Sequence, residues 1–265
     1  MKGQVMKLKG KWALVTGGSR GIGRGICVEL AKEGCNIIVN YVHDPKKAEK
    51  TVQELKDLNV EAYSIKADVS NREKVNDMVK AITDKNELDI LISNAGVVKT
   101  EPFLEVTKQA WDFQISINLE GMFNVAQEVS RYFVKRKKGG KVVFVTSFNQ
   151  DAPNFDHTVY NITKAGVSML SKTMAIELAK HKIYSNTIAA GGVITDLNRW
   201  ELEAYPELEE RYNKTAPLGR WGTVKDMGKA AVFLASSDSD YTTGSTIYVE
   251  GGIMVNNAMP LFEQE

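Results

Sequence analysis

Cysteine, histidine and uncompensated charge are all scarce in this 265-residue chain, and each scarcity removes a class of protein. The two cysteines, Cys27 and Cys35, form no CxxC or metal-like spacing and fall inside expected regular elements. They read as small reduced core residues, and the chain as cytoplasmic. His43, His157 and His181 are scattered, which argues against a metal site. The formal net charge is +1, which leaves no electrostatic case for nucleic acid or an anionic membrane as partner. The one basic run, Lys135 to Lys138, closes a helical pattern, where cations complement the helix dipole. No stretch approaches the ~20 apolar residues of a membrane span. The basic start (Lys2, Lys7, Lys9, Lys11) leads into an apolar run of only Trp12 to Val15, too short for a signal-peptide core. Repeats, low-complexity tracts and Pro/Gly-rich linkers are also missing, so residues 1–265 are expected to form a single domain.

What is present is an alternation. Short β-branched runs at Trp12–Thr16, Asn36–Tyr41, Ala62–Ala67, Asp89–Ser93, Lys141–Ser147, Tyr184–Ala189 and Thr246–Glu250 are separated by segments of helical period. Those helical patterns run from Ile22 to Ala31, Pro45 to Leu58, Asn71 to Lys85, Lys108 to Lys137, Thr158 to His181 and Val224 to Ala235. Parallel strands need crossover connections, so the pattern predicts an α/β fold with seven parallel strands and helices on both faces. Ile90-Leu91-Ile92 and Val142-Val143-Phe144-Val145 are apolar on both faces, as central strands should be. The alternation breaks between Gly191 and Leu218, a polar-aromatic insertion long enough to be a substrate lid.

Residues 16–23 read Thr-Gly-Gly-Ser-Arg-Gly-Ile-Gly, directly after the first strand and opening the first helix. Glycines allow the tight turn and a close approach of backbone to a pyrophosphate, and the helix N-terminus supplies free N–H groups. The spacing of Gly17, Gly21 and Gly23 differs from GxGxxG and resembles the TGxxxGxG signature of short-chain dehydrogenases/reductases. Further matches follow in order. Asn94-Ala95-Gly96 resembles the family's NNAG motif with Ser93 in place of the first Asn. Asn118 lies in Asn-Leu-Glu-Gly, Ser147 ends the fifth strand, and Tyr160-Asn-Ile-Thr-Lys164 follows thirteen residues on. With nine tyrosines and abundant lysine, one YxxxK arises by chance, so the motif carries weight only in this company. The resemblance runs from about Lys9 to Gly252 and implies a single doubly wound Rossmann-type domain.

The chemistry accounts for the residue types. Moving a hydride to or from a carbon requires a proton-transfer group at its oxygen. A free tyrosine, with a pKa near ~10, is a poor base at neutral pH. Lys164 lies on the same helical face as Tyr160, and its ammonium, with the positive nicotinamide ring of the oxidised cofactor, is expected to lower that pKa. Ser147, at the carboxyl end of a strand, can donate to the substrate oxygen. In the family the Asn at position 118 helps hold a water joining the lysine to solvent. The resemblance therefore implies catalytic Asn118, Ser147, Tyr160 and Lys164, in a secondary alcohol/ketone oxidoreductase.

The cofactor set implied in the same way is Gly17, Ser19, Arg20, Gly21, Ile22, Gly23, Tyr41, Asp68, Val69, Asn94, Ala95, Gly96, Tyr160, Lys164, Gly191, Val193 and Thr195. An acid ending the second strand usually grips the NAD ribose. This strand ends Asn40-Tyr41-Val42-His43, with no acid before Asp44, and Arg20 suits a 2′-phosphate. NADP is expected, with NAD as the alternative. Asp68 matches an adenine-contacting Asp of the family, with a helix cap as its plainer reading. Ala190-Gly191 replaces a frequent Pro-Gly pair, and Ser185 replaces an apolar residue; both are expected beside the nicotinamide pocket.

Substrate is the least determined point. Phe148, Asn149, Gln150, Asp151, Asn154, Phe155 and His157 fill the loop between Ser147 and Tyr160. Leu197, Trp200, Leu208 and Tyr212 could form an apolar stripe, which is more often ordinary core packing. Aromatics favour a hydroxysteroid, while amides and Asp151 favour a sugar or polyol, as in the glucose dehydrogenases of the family. A carrier-linked 3-oxoacyl reductase is a further alternative, whereas enoyl reductases space the tyrosine and lysine more widely. A non-catalytic nicotinamide sensor on the same fold would have little use for the full Asn-Ser-Tyr-Lys set. The resemblance also implies a homotetramer packed through residues 108–137 and 158–181, with the tail of Met259, Leu261 and Phe262 reaching a neighbour.

Overall fold

The computed structural model describes residues 6–195 and 203–256. Leu197, Trp200 and the tail with Met259, Leu261 and Phe262 lie outside them, as does the side chain of Leu208. The first strand, β1 (Trp12–Val15), feeds α1 (Gly21–Lys32), β2 (Asn36–Tyr41), α2 (Pro45–Lys56), β3 (Ala62–Lys66), α3 (Arg72–Thr83) and β4 (Leu88–Ser93). Then come α4 (Lys108–Ile115), α5 (Met122–Arg136), β5 (Gly140–Ser147), α6 (Thr158–Leu178) and β6 (Ile183–Ala190). The short strands β7 (Val193–Ile194) and β8 (Gly222–Thr223) flank α7 (Pro206–Thr215), before α8 (Val224–Ala235) and β9 (Thr246–Val249).

Seven strands form one parallel sheet in the order β3-β2-β1-β4-β5-β6-β9. The order reverses between β1 and β4, which opens a crevice above their carboxyl ends. Each strand alternates its residues between two cores. Val15, Val39, Ile92, Val143 and Val145 pack with Ile26, Leu30 and Met227 of α1 and α8. Leu14, Ile38, Leu91, Val142 and Phe144 pack with Val79, Val125, Val129 and Val167 on the other face. This two-sided burial explains the continuous apolar runs of the central strands.

Side chains mark where helices start. Asp44 accepts from Lys47 N at the start of α2, ahead of Pro45, and Asn71 accepts from Lys74 N at the start of α3. Thr107 caps α4, and Thr223 with Asp226 closes a capping box on α8. The cap of α3 is therefore Asn71, not Asp68, whose carboxylate accepts from Ser70 N and Oγ in a local turn.

Two expectations need correction. The helix expected over 108–137 is split by a π-helical segment, Ser116–Gly121, between α4 and α5. Asn118 lies within that segment, and Gly121 comes so near the chain after β3 that an added Cβ would lie 2.7 Å from Val69 Cγ2. Ser185 does not border the carboxyl edge. It pairs with Val142, five positions before the pairing of Ser147 with Ala190, or roughly 17 Å away at strand rise. Its polar side chain is explained locally, by a 2.9 Å hydrogen bond with Ser171 Oγ.

Candidate active site

The glycine turn is stapled from below. Thr16 Oγ1 accepts from Asn94 N (2.9 Å) and Ala95 N (3.1 Å), while Asn94 Nδ2 donates to Thr16 O (3.0 Å) and Gly17 O (3.3 Å). A Cβ on Gly23 would stand 2.4 Å from Gly17 O, so the first turn of α1 closes down on the end of β1 only with glycine there. Gly17 and Gly21 have φ of +63° and +54°, the left-handed region glycine occupies without strain. Asn40, buried in β2, accepts from Gly17 N at 3.4 Å and donates to Ala67 O at 2.9 Å. Thr16 and Asn40 were not picked out from the sequence. A buried amide inside an otherwise apolar strand was the available signal for Asn40.

α1 differs from its capped neighbours. Its N-cap is Arg20, with no side-chain cap, and its first turn holds no acid. Helix N-terminal N–H groups left in this way, under a glycine-lined concavity, suit an anionic phosphate. Arg20 is exposed at that position, Ser19 offers a half-buried face, and Ile22 packs into the core below. Thr195 flanks the same turn, 3.8 Å from where a Gly21 Cβ would be. The residues thus fit a dinucleotide by shape and by the character of their donors.

Around the turn, Tyr41 is half-buried at the end of β2 and Asp68 is exposed after β3. Val69 instead buries its side chain in the second core, its carbonyl accepting from Asn124. Gly191 follows β6 so tightly that an added Cβ would lie 2.5 Å from Glu250 Cα and 2.9 Å from Tyr212 Oη. Val193 is buried. Tyr212 of α7 accepts the Gly192 N–H at 2.5 Å and stacks on Trp221, centroids 4.3 Å apart, so it fastens the inserted helix to this strip.

The four reactive-group candidates converge on the same edge. Ser147 ends β5, Tyr160 and Lys164 stand one turn apart on α6, and Asn118 comes from the π-helical segment. The Ser147 hydroxyl, which accepts from Asn149 N at 3.2 Å, is near enough to the Tyr160 hydroxyl to favour its ionised form. Lys164 is buried, its ammonium 5.3 Å from the Tyr160 ring centroid and donating to Val145 O at 3.1 Å. Asn118 is fully buried, accepting from Val97 N and donating to Val97 O, both at 2.8 Å. It also donates to Thr163 Oγ1 at 3.4 Å, and that hydroxyl donates to Tyr160 O. Gly96 lets these groups approach: a Cβ there would lie 3.3 Å from Asn118 Oδ1 and 3.6 Å from Lys164 Nζ.

In the protein alone, burial sets the electrostatics of this pair. Burial pushes the Lys164 ammonium down to about 8. Burial also pushes the Tyr160 hydroxyl up from its ordinary value, opposed by the nearby Ser147 hydroxyl. The expected lowering of Tyr160 belongs to the site with the nicotinamide ring in place; in the protein alone desolvation dominates and the Lys164 ammonium is directed at Val145 O. The loop after Ser147 brings a correction. Asn149 donates to Asn161 Oδ1 at 3.0 Å, and Thr146 Oγ1 donates to Gln150 Oε1 at 2.7 Å. These amides, expected to face a sugar, are engaged within the protein.

Comparison with known proteins fits this geometry. The family model described as enoyl-(acyl carrier protein) reductase matches residues 17–254. A 3-oxoacyl-(acyl-carrier-protein) reductase of Staphylococcus epidermidis is 38% identical over 244 residues, covering 92% of this chain and 98% of that protein. An L-rhamnose 1-dehydrogenase (NAD(P)(+)) of Sphingomonas is 35% identical over 250 residues, covering 94% and 98%. The solved gluconate 5-dehydrogenase of Burkholderia cenocepacia, in complex with NADP and tartrate, superposes with a TM-score of 0.88 at 32% identity, covering 95% of this chain and 98% of that one. Fold and site together define a nicotinamide-dependent oxidoreductase acting on alcohol and keto groups. The chain belongs to the short-chain dehydrogenase/reductase family.

Proposed function

We propose that this enzyme is an NADP(H)-preferring dehydrogenase/reductase of polyhydroxylated small molecules, with Tyr160 as acid/base. The carrying observation is the convergence of Ser147, Tyr160, Lys164 and Asn118 beside the uncapped N-terminus of α1. A bound nicotinamide nucleotide would supply the hydride acceptor or donor, held by the glycine turn, Asn94–Gly96 and the Gly191–Thr195 strip. In the oxidative direction the Tyr160 oxygen takes the alcohol proton, and the Ser147 hydroxyl donates to the carbonyl oxygen as it forms. Lys164, held by Val145 O, stabilises the tyrosinate. Asn118 keeps its place through both polar groups of Val97, which fixes the floor beneath Lys164.

NADP(H) preference is supported by the fate of the nearest acid. Asp44 is committed to the cap of α2 and also lies 3.8 Å from Lys47 Nζ, while Arg20 is exposed at the α1 terminus. Arg20→Ala is expected to raise KM for NADP⁺ roughly tenfold, in keeping with loss of a charge-assisted hydrogen bond. KM for NAD⁺ should stay within about twofold, and equal effects on both coenzymes would refute the assignment. A polyol substrate is supported by the L-rhamnose and gluconate dehydrogenases among the relatives. Reduction of a 3-oxoacyl thioester is the second reading, supported by the 38% identical reductase. We also propose the insertion from Gly191 to Leu218 as the substrate lid. A homotetramer is supported by exposed Ile162, Met169 and Ile176, spaced seven residues apart along α6.

The deciding experiment offers NADP⁺ or NAD⁺ with sugars, polyols, hydroxysteroids and secondary alcohols, and NADPH with acetoacetyl thioester, to wild type and Tyr160→Phe. Turnover of the wild type is expected to fall about a thousandfold in the variant, within the usual range for a lost acid/base. NADPH binding should be retained. A variant that still turns over removes Tyr160 from the mechanism.

A further inference from the structure

His157 occupies a position that calls for a different residue. It is the N-cap of α6, where Ser, Thr, Asp or Asn would hold the first turn, and its side chain makes no cap. The fold nevertheless fixes it firmly. Asp156 before it adopts φ +59°, its carbonyl accepts from Glu101 N at 2.9 Å, and His157 bridges to Glu101 on the segment after β4. Three residues ahead of Tyr160 on one helical face, its ring meets the Tyr160 ring edge-on, centroids 6.1 Å apart and planes at 75°.

The tautomer is set by the partner. Nδ1 lies 2.5 Å from the Phe155 carbonyl oxygen, which can only accept, so Nδ1 carries the proton. In the neutral ring Nε2 is then a lone-pair acceptor. Among the described residues no donor reaches Nε2, whereas the other polar groups of this wall are engaged. Asn149 and Asn161 bond each other, Asn154 bonds Asn149, and Tyr248 bonds Asp151. Half-buried beside the Tyr160 ring, His157 therefore offers Nε2 as an acceptor whenever its ring is neutral.

We infer that His157 is a specificity-determining residue whose Nε2 accepts a hydrogen bond from a substrate hydroxyl on the carbon next to the reacting one, so that the preferred substrates are vicinal diols. The inference rests on Tyr160 working at the reacting oxygen. A substrate hydroxyl that reaches Nε2 gains a partner, and one that lacks the hydroxyl leaves Nε2 desolvated against carbon.

The test uses the full-length enzyme with NADP⁺ and three probes: L-rhamnose, 1,2-cyclohexanediol and cyclohexanol. His157→Phe is expected to raise KM for the two vicinal diols roughly tenfold, as for loss of one hydrogen bond in a partly buried site, with kcat within about twofold. KM for cyclohexanol should be unchanged. His157→Gln, whose amide oxygen can accept, should restore most of the diol preference, and thermal melting of both variants reports on folding. Unchanged diol KM in the Phe variant, or an equal kcat loss on all three probes, overturns the inference while leaving Tyr160 in place. Wild-type enzyme that reduces acetoacetyl thioester but oxidises neither diol overturns the polyol reading, and this inference with it. Silence of the wild type towards all probes also refutes it.

Discussion

The two edges of the central sheet handle charge in opposite ways. At the amino edge charges are matched. Asp89 accepts from Lys11 Nζ at 3.2 Å, Trp12 N at 3.1 Å and Arg136 Nη2 at 3.4 Å, and Glu87 pairs with Lys138 at 2.5 Å. Asp89 sits where the β1–β4 register slips between Trp12 and Ala13, and its carboxylate takes over an N–H that the ladder leaves. At the carboxyl edge the opposite holds. Lys164 is buried with a carbonyl for company, α1 has no acidic cap, and Ser93 Oγ is buried without a partner. One edge pairs its acids with bases across the sheet, although Arg136 Nε and Nη1 find no hydrogen bond there, and the other holds a buried cation with no acid beside it. Stability should therefore be lost by mutating the amino edge and gained by neutralising the carboxyl edge.

The largest stability effect is expected at Asp89. Arg136, 10% exposed, lies over the Tyr132 and Phe133 rings and would keep only Glu87 and the Gly139 carbonyl. Removing one partner of a buried pair strands the other, so Asp89→Ala should destabilise by about 3 kcal/mol in urea unfolding. The kcat should be unaffected, since the site lies some six strand residues away; a kcat that falls with stability would break the contrast between edges.

Lys164→Met should do the reverse. The folded pKa of about 8 lies below the free value of 10.5, so the folded chain binds fewer protons than the unfolded one between those pH values. Wild-type stability then rises with pH across that window, and below pH 8 the full cost of burying the ammonium is carried. That cost is about 3 kcal/mol, offset by about 1 kcal/mol for the Val145 carbonyl left unpaired. The variant should thus be more stable by about 2 kcal/mol at pH 7, with the advantage closing by about pH 10, while losing most activity. Urea midpoints at pH 7 and 10 test this; a variant less stable at pH 7 would mean that Lys164 is held by interactions stronger than its desolvation.

The same contrast explains how far the sequence could be read. The seven strands, the glycine turn and the spacing of Ser147, Tyr160 and Lys164 are local patterns, carried by two-residue and four-residue periods. Asn118 was legible as a residue, but not the π-helical segment that carries it, because that depends on Val97 and Val69. Ser185 was placed at the wrong edge because strand register, not motif order, decides which end a residue reaches. Asn149 and Gln150 read as substrate groups until their partners Asn161 and Tyr248 came into contact, 12 and 98 residues away. Polar residues are ambiguous in a sequence for this reason: whether a partner comes from the protein or from a ligand is settled by long-range packing.

The smallest effect sharpens what matters at the amino edge. Lys138 and Glu87 make the shorter ion pair there, yet their side chains are 65% and 49% exposed, against 10% and 17% for Arg136 and Asp89. Lys138 donates to the Glu87 carboxyl and holds it below the usual carboxylate range. Water and salt screen that attraction, and two long side chains lose freedom in making it. Lys138→Ala should leave the urea midpoint unchanged within error at 0.1 M salt, and Lys138→Glu should lower it slightly at low salt only. If Lys138→Ala instead matched Asp89→Ala, the edge would act as one cooperative network in which the exposed pair orients Glu87 toward Arg136. A null result assigns the stabilisation to burial of the Asp89–Arg136 contact, and the short distance between the exposed partners then counts for little.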